Sequence, residues 1–346
     1  MILVIAEKPS VAQSIAKVLG ATSRKDGYME GGNYIVSWCF GHLVELADAS
    51  SYDERYAKWR YDDLPIVPES WMFEVTKDKA QQFKVLSALM KDKRVTELVC
   101  ATDAGREGEL IFRLVYNKAG CTKPFKRLWI SSLEDSAIRE GFNHLRDGKE
   151  YDRLYEAALS RSKADWIVGI NGTRLFTTLY HKKLVVGRVQ TPTLAMLVER
   201  DGKISTFQKE KYFNVHVGKG DLIADLEKVK TEEEAKRIAA ACEKKQAVVS
   251  SLKRETKTVN PPKLYDLTTL QREANRYYGF TAQQTLDLVQ TLYEKKLLTY
   301  PRTDSQFITD DMEDTARQVI SIVCRQLPLF TDVSVTPDIS RVTDNS

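Results

Sequence analysis

Glu97-Leu-Val-Cys-Ala-Thr-Asp-Ala-Gly-Arg-Glu-Gly-Glu-Leu-Ile111 decides how this chain is read. A short apolar run, Glu97–Ala101, reads as a buried strand, and Glu107–Tyr116 has the spacing of a helix. Between them lie Asp103, Gly105 and Glu107, at the point where strand gives way to helix. The N-terminus repeats the arrangement. Ile2–Ala6 is a strand candidate, Glu7 and Lys8 follow it, and Ser10–Leu19 is helical, with Pro9 near its start and Gly20 at its end. If both strands share one sheet, Glu7, Asp103 and Glu107 converge on a single carboxyl edge, where ligands of open α/β sheets bind. Carboxylates gathered there offer oxygen ligands to Mg²⁺, which keeps several waters for substrate phosphates. The same residues have a plainer reading. Asp103 can N-cap the following helix, Glu107 and Glu109 can complement its dipole, and Glu7-Lys8 can be a surface ion pair.

Working outward, Tyr34–Phe40 and Arg127–Ile130 are further strand candidates and Lys77–Met90 a helix. Alternating strands and helices over about the first 150 residues predict a largely parallel sheet covered by helices. Tyr151–Leu179 is a long helix, and Val189–Glu199 is another with Pro192 near its start. The pattern then changes. Tyr212–Val217 alternates like a strand, and Leu222–Leu226 and Ala247–Leu252 are strand candidates around a charged helix, Thr231–Lys244. After Pro261-Pro262, Asp266 is placed to N-cap a helix through Tyr278, and Gly279 stops it. Thr281 with Gln284 forms a capping-box signature for a helix ending near Lys296. The extended Leu297-Leu-Thr-Tyr-Pro301 is followed by a helix over about 309–327.

Bulk properties narrow the class. Of 346 residues 42% are hydrophobic and 29% charged, the mixture of a soluble chain long enough for several units. No apolar run approaches a membrane span, and the N-terminus runs straight into Glu7-Lys8 without the basic leader of a signal peptide. The five cysteines are scattered with no Cys-x-x-Cys pair, against a disulfide framework or zinc site and in favour of the cytoplasm. Net charge is only +4, but the distribution is uneven: Ser160–Arg200 holds seven Lys or Arg against two acidic residues, and Lys253–Arg302 nine against five. Such stretches are either phosphate-binding surface or solvated basic faces.

Ile5-Ala-Glu-Lys-Pro-Ser10 and Ala101–Ile111 resemble the two halves of a Toprim domain, the fold shared by topoisomerases, bacterial primases and some nucleases. Its pattern is a glutamate after the first strand and Asp-x-Asp-x-Glu after a later one. Glu7, Asp103 and Glu107 fill three of those places, and Gly105 stands where the middle aspartate belongs, which favours a single Mg²⁺ over a tight metal pair. Thr299-Tyr-Pro-Arg-Thr-Asp-Ser305 is an ordinary turn by composition. Beside the two upstream halves, it resembles the active-site motif of type IA DNA topoisomerases of the topoisomerase III kind. The resemblance implies that Tyr300 is the nucleophile and Arg302 its phosphate-binding partner, with Lys8 and Glu7 assisting proton transfer and charge stabilisation. It also implies Mg²⁺ on Glu7, Asp103 and Glu107. Ser160–Arg174 and Gly187–Leu194 resemble the single-strand groove of the family, on Arg161, Asp165, Arg188 and Gln190. Arg161 and Asp165 are also readable as a structural ion pair on one helix face.

The implied fold is multi-domain α/β and α+β. It comprises a Rossmann-like Toprim domain over 1–150, the first part of a helical base with the groove over 151–207, the first part of a β-rich arch over 208–260, and an incomplete tyrosine domain over 261–346. The family is longer, so an incomplete ring is expected. The implied activity is ATP-independent breakage, strand passage and rejoining of single-stranded DNA through a 5′-phosphotyrosine, acting on negatively supercoiled or catenated DNA, in the bacterial nucleoid or on mobile-element DNA. A helicase partner follows by analogy alone. The alternatives are a single-strand-binding fragment without strand passage and a Toprim primase or nuclease.

Overall fold

The computed structural model describes all residues except 131–132, 247, 296, 309–311, 328–337, 339–341 and 344–346, and the side chain of Glu227. Two compact units form, Met1–Arg188 with Pro262–Ser346, and Val189–Pro261.

The first unit opens with β1 (Ile2–Ala6), α1 (Pro9–Leu19), β2 (Ser23–Lys25), β3 (Tyr28–Gly31) and β4 (Tyr34–Trp38). A small hairpin, β5 (Val44–Leu46) with β6 (Phe73–Val75), encloses the short α2 (Ala49–Tyr52). Then come α3 (Ala80–Lys91), β7 (Glu97–Ala101), α4 (Arg106–Lys118), β8 (Phe125–Arg127), α5 (Asp135–Asn143), β9 (Arg146–Asp147) and α6 (Asp152–Tyr180). Seven strands pair in the order β2-β3-β4-β1-β7-β8-β9. The inner four, β4, β1, β7 and β8, are parallel, and antiparallel strands flank them on both sides.

Alternation along the strands builds a core on each face. Leu3, Ile5, Ile35, Leu98 and Cys100 point to one side, with Leu86 of α3 and Phe112 of α4. Val4, Ala6, Val36, Val99 and Ala101 point to the other, with Val11 and Ile15 of α1 and Ile138 of α5. A fully buried aliphatic side chain of this kind contributes about 1.5–3 kcal/mol. The two central strands are therefore the most firmly held part of the sheet, and they carry the acidic residues at their ends. Gly20, in the left-handed region at φ 74°, ends α1 as its position predicts.

The second face also receives the C-terminal part of the unit. Here α9 (Leu267–Tyr278) is N-capped by Asp266, whose carboxylate accepts from Thr269 N at 2.6 Å. Next, α10 (Ala282–Glu294) starts in the full Thr281–Gln284 capping box. Tyr293 and Tyr300 both pack against the second-face core. After the tyrosine, Thr303 O accepts from Leu267 N at 3.2 Å, and Gln306 Nε2 donates to Asp266 Oδ2 at 3.0 Å. The segment is thus tied to the start of α9. The last helix, α11, spans Glu313–Gln326.

The second unit holds α7 (Gln190–Ser205), the antiparallel pair β10 (Phe213–Lys219) and β11 (Leu222–Val229), and α8 (Glu232–Cys242). Val215, Val229 and Ala235 form its small core.

Three local expectations are revised. The strand expected at Arg127–Ile130 lies earlier, at Phe125–Arg127. Leu128 N still reaches Cys100 O at 2.9 Å, but the chain then leaves β7. Residues 248–252 form no strand. They are exposed, and among the described residues β10 and β11 pair only with each other, while Ala247 lies outside the described residues. The last helix starts at Glu313 rather than near residue 309, which is itself outside the described residues, as is Lys296.

Gly108, in the first turn of α4, is required by close approach. A Cβ there would sit 2.2 Å from the Asp103 carbonyl oxygen. Gly108→Ala should therefore cost about 2–4 kcal/mol or displace the Asp103 turn. Chemical denaturation measures the loss, and an unchanged midpoint would refute the steric argument.

Candidate active site

Register fixes the site. Ala6 lies opposite Ala101, so Glu7 and Asp103 emerge from neighbouring parallel strands at the same edge. The Asp103 backbone N–H donates to Glu7 Oε2 at 3.3 Å. Burial and, next, the Asp103 charge push the Glu7 carboxyl up to about 7, against the opposing pull of Lys8 and Arg302. Glu7 is therefore part-protonated near neutrality, able both to give and to take a proton.

Tyr300 reaches the same edge from the far end of the unit. Its ring lines a pocket with Val11, Ala101, Asp103, Leu128 and Tyr293. Asp103 and Tyr300 thus face the same pocket. Burial first, then the charges of Asp103 and Glu7, hold the phenol above its ordinary value, and Arg302 works the other way. The phenol is thus protonated as it stands and must lose its proton to react. Tyr293 was not singled out from the sequence. It meets the Tyr300 ring edge-on, with centroids 5.5 Å apart at 72°.

Glu107 does not join the pair. Its carboxylate faces Arg161 Nη1 at 3.2 Å and His42 Nε2 at 3.7 Å. From there a chain of charges runs along α6. Arg161 Nε is 3.9 Å from Asp165 Oδ2, and Arg188 Nε donates to Asp165 Oδ1 at 2.6 Å. Three of the four predicted groove residues therefore line up with Glu107. Gln190, the fourth, opens α7 in the second unit. The opposite side of α6 is occupied by the loop before β6. Trp166 Nε1 donates to Ala47 O at 2.9 Å, and the Asn171 amide clamps both backbone groups of Ile66 at 2.6 and 2.8 Å.

Among the described residues no three His, Cys, Asp or Glu side chains are grouped to hold a metal ion. Two adjoining carboxylates, one with raised proton affinity, nevertheless fit a Mg²⁺ that keeps most of its waters. Gly105 has extended backbone, at φ 177°, and a Cβ there meets nothing within 4 Å. Gly105→Asp should be accommodated and should tighten Mg²⁺ binding by about tenfold through the added charge. Calorimetric titration of both proteins with MgCl₂ checks this, and equal affinities would refute it.

A family model described as Toprim domain matches residues 2–133, and one described as DNA topoisomerase matches residues 149–337. The chain belongs to the DNA topoisomerase family. Within it the chain is type IA and topoisomerase III-like. DNA topoisomerase 3 of Bacillus subtilis is 46% identical over 323 residues, covering 91% of this chain and 44% of the relative. DNA topoisomerase 3 of Staphylococcus haemolyticus is 46% identical over 320 residues, covering 91% and 45%. This chain thus spans less than half the length of these curated relatives. The structure of full-length topoisomerase I from Thermotoga maritima shares the fold, with a TM-score of 0.65 and 24% identity over 98% of this chain and 58% of that one. Among the described residues no helix is long and apolar enough to cross a membrane.

Proposed function

We propose that the chain breaks and rejoins single-stranded DNA through a phosphotyrosine on Tyr300. The observation that carries this reading is that Tyr300 and Asp103 line one pocket, beside Glu7, at the edge of a parallel sheet. The phenol oxygen attacks phosphorus and gives its proton to the neighbouring carboxylate. The bond from phosphorus to the 3′ oxygen breaks, leaving the 5′ phosphate on Tyr300. Lys8, or Glu7 in its protonated form, protonates the departing 3′ oxygen. Arg302 balances negative charge on the phosphate oxygens. Rejoining reverses each transfer and needs no ATP, because the phosphotyrosine conserves the bond energy. Mg²⁺ would be held by Glu7 and Asp103, with Glu107 nearby, and would neutralise phosphate charge and position the strand.

Arg161 and Asp165 of α6, with Arg188 paired to Asp165, extend from Glu107, which supports a path for the phosphate backbone past the acidic edge; Gln190 is a further DNA contact on its resemblance to the family's groove alone. The substrates are negatively supercoiled or catenated DNA with single-stranded character, acted on in the cytoplasm, and a helicase partner would supply such strands. The test is a labelled single-stranded oligonucleotide incubated with the protein and Mg²⁺, then denatured. A covalent protein–DNA band supports the proposal. Salt-sensitive binding without a band would instead identify a single-strand-binding protein. Net cutting or primer synthesis without a protein–DNA bond would identify a nuclease or primase.

A further inference from the structure

Arg127 is fully buried, and so is Glu109, the acidic residue beside it. Its Nε lies 3.2 Å from Glu109 Oε2, close enough for an ion pair though not aligned as a hydrogen bond. The rest of the guanidinium is spent on backbone carbonyls. Nη1 donates to Thr102 O at 2.7 Å, Leu128 O at 2.9 Å and Cys100 O at 3.1 Å, and Nη2 donates to Asp103 O at 2.7 Å. Three of these carbonyls, those of Cys100, Thr102 and Asp103, belong to the end of β7 and the turn that carries Asp103. Strand β8 stops at Arg127, and the side chain continues the pairing that the backbone abandons. Burying a charge pair usually stabilises less than an apolar core would, so its use here calls for a role beyond folding.

We propose that Arg127 is a positioning residue, whose guanidinium fork fixes the Asp103 turn and so sets the Asp103 carboxylate in the pocket it shares with Tyr300. Glu109 acts through Arg127 by neutralising it, and it also accepts from Arg113 Nε at 2.8 Å. A guanidinium can reach several carbonyls at once because it is a planar fork, whereas an ammonium is a point. A displacement on the order of 1 Å at a reacting group costs up to about 100-fold in rate.

The inference rests on the proposed cleavage chemistry, and its test separates the two. Arg127→Lys keeps the charge beside Glu109 but cannot span the carbonyls. In the full chain it should bind a labelled oligonucleotide as the parent does, form the covalent adduct about 10- to 100-fold more slowly, and exchange the backbone amides of Thr102–Gly105 faster. Arg113→Lys disturbs the same buried network without touching the turn and should leave both readouts unchanged. If Arg127→Lys does not fold, the neutral double variant Arg127→Gln with Glu109→Gln takes its place with the same readouts. A parental rate with unchanged exchange overturns the proposal, as does an equal loss in Arg113→Lys. Should the parent protein itself form no adduct, the cleavage reading fails, and amide exchange alone decides: faster exchange at Thr102–Gly105 supports the positioning role and unchanged exchange refutes it.

Discussion

Tyr300→Phe is expected to abolish the covalent protein–DNA adduct while leaving oligonucleotide affinity within about twofold, since one hydroxyl among many phosphate contacts adds little binding. Loss of the nucleophilic oxygen leaves nothing to form the ester, so the effect is complete rather than graded. One neighbour deserves comparison as a substitute nucleophile. Tyr293 sits against the same carboxylates, but it is only 5% exposed. Burial, followed by the Asp103 and Glu7 charges, holds its phenol well above the ordinary value. The same causes act on Tyr300, so it is burial away from a phosphate that sets Tyr293 apart. Denaturing electrophoresis with end-labelled oligonucleotide makes the comparison. A residual adduct that disappears only in the Tyr293→Phe, Tyr300→Phe double variant would assign the chemistry to the wrong phenol here.

Glu7→Gln should separate stability from activity. The Glu7 carboxyl is held at about 7, against an ordinary 4.5, by burial and the nearby Asp103 charge. Between those values the folded chain keeps a proton that the unfolded chain releases. The contribution of Glu7 to stability is therefore fully present below about pH 4.5, falls as pH rises through 7, and is constant above that. Glutamine does not titrate. The melting temperature of Glu7→Gln should match the parent near pH 4.5 and exceed it by a few degrees at pH 8, equivalent to roughly 1–3 kcal/mol. Adding Mg²⁺ should raise the parent more than the variant, because the ion satisfies the charge that glutamine lacks. Adduct formation should fall about 10²- to 10⁴-fold, the usual worth of a proton-transfer group. Thermal scans across pH, paired with the adduct assay, provide the check. A variant less stable than the parent at pH 8 would show that Glu7 is not under electrostatic strain.

Much of this was readable where the cause is local. The ends of β1 and β7, the left-handed Gly20 and Gly279, the Asp266 cap and the Thr281–Gln284 box all follow from a few adjacent residues. The convergence of Glu7 and Asp103 needed only the assumption that two apolar runs are neighbours in one sheet. What escaped was long-range and polar. Nothing near Glu107 announces that its carboxylate will pair with Arg161 and His42. Arg127 looked like the first residue of a strand, not a clamp on carbonyls well before it in the chain. Tyr293 had a signal: with Thr285 it marks the buried stripe of α10, and a tyrosine in such a stripe must place its hydroxyl somewhere.

The first unit is assembled from two stretches of chain separated by Val189–Pro261. During synthesis the acidic edge, with its sheet and both core faces, leaves the ribosome long before Tyr300 exists. A nascent chain can therefore fold the sheet and its acidic edge before Tyr300 reaches it. On the proposed chemistry, the capacity to break a strand arrives only when α10 and the segment after it return to the second face and deliver the phenol. By that chemistry an unfinished polypeptide has the acidic edge but lacks the nucleophile.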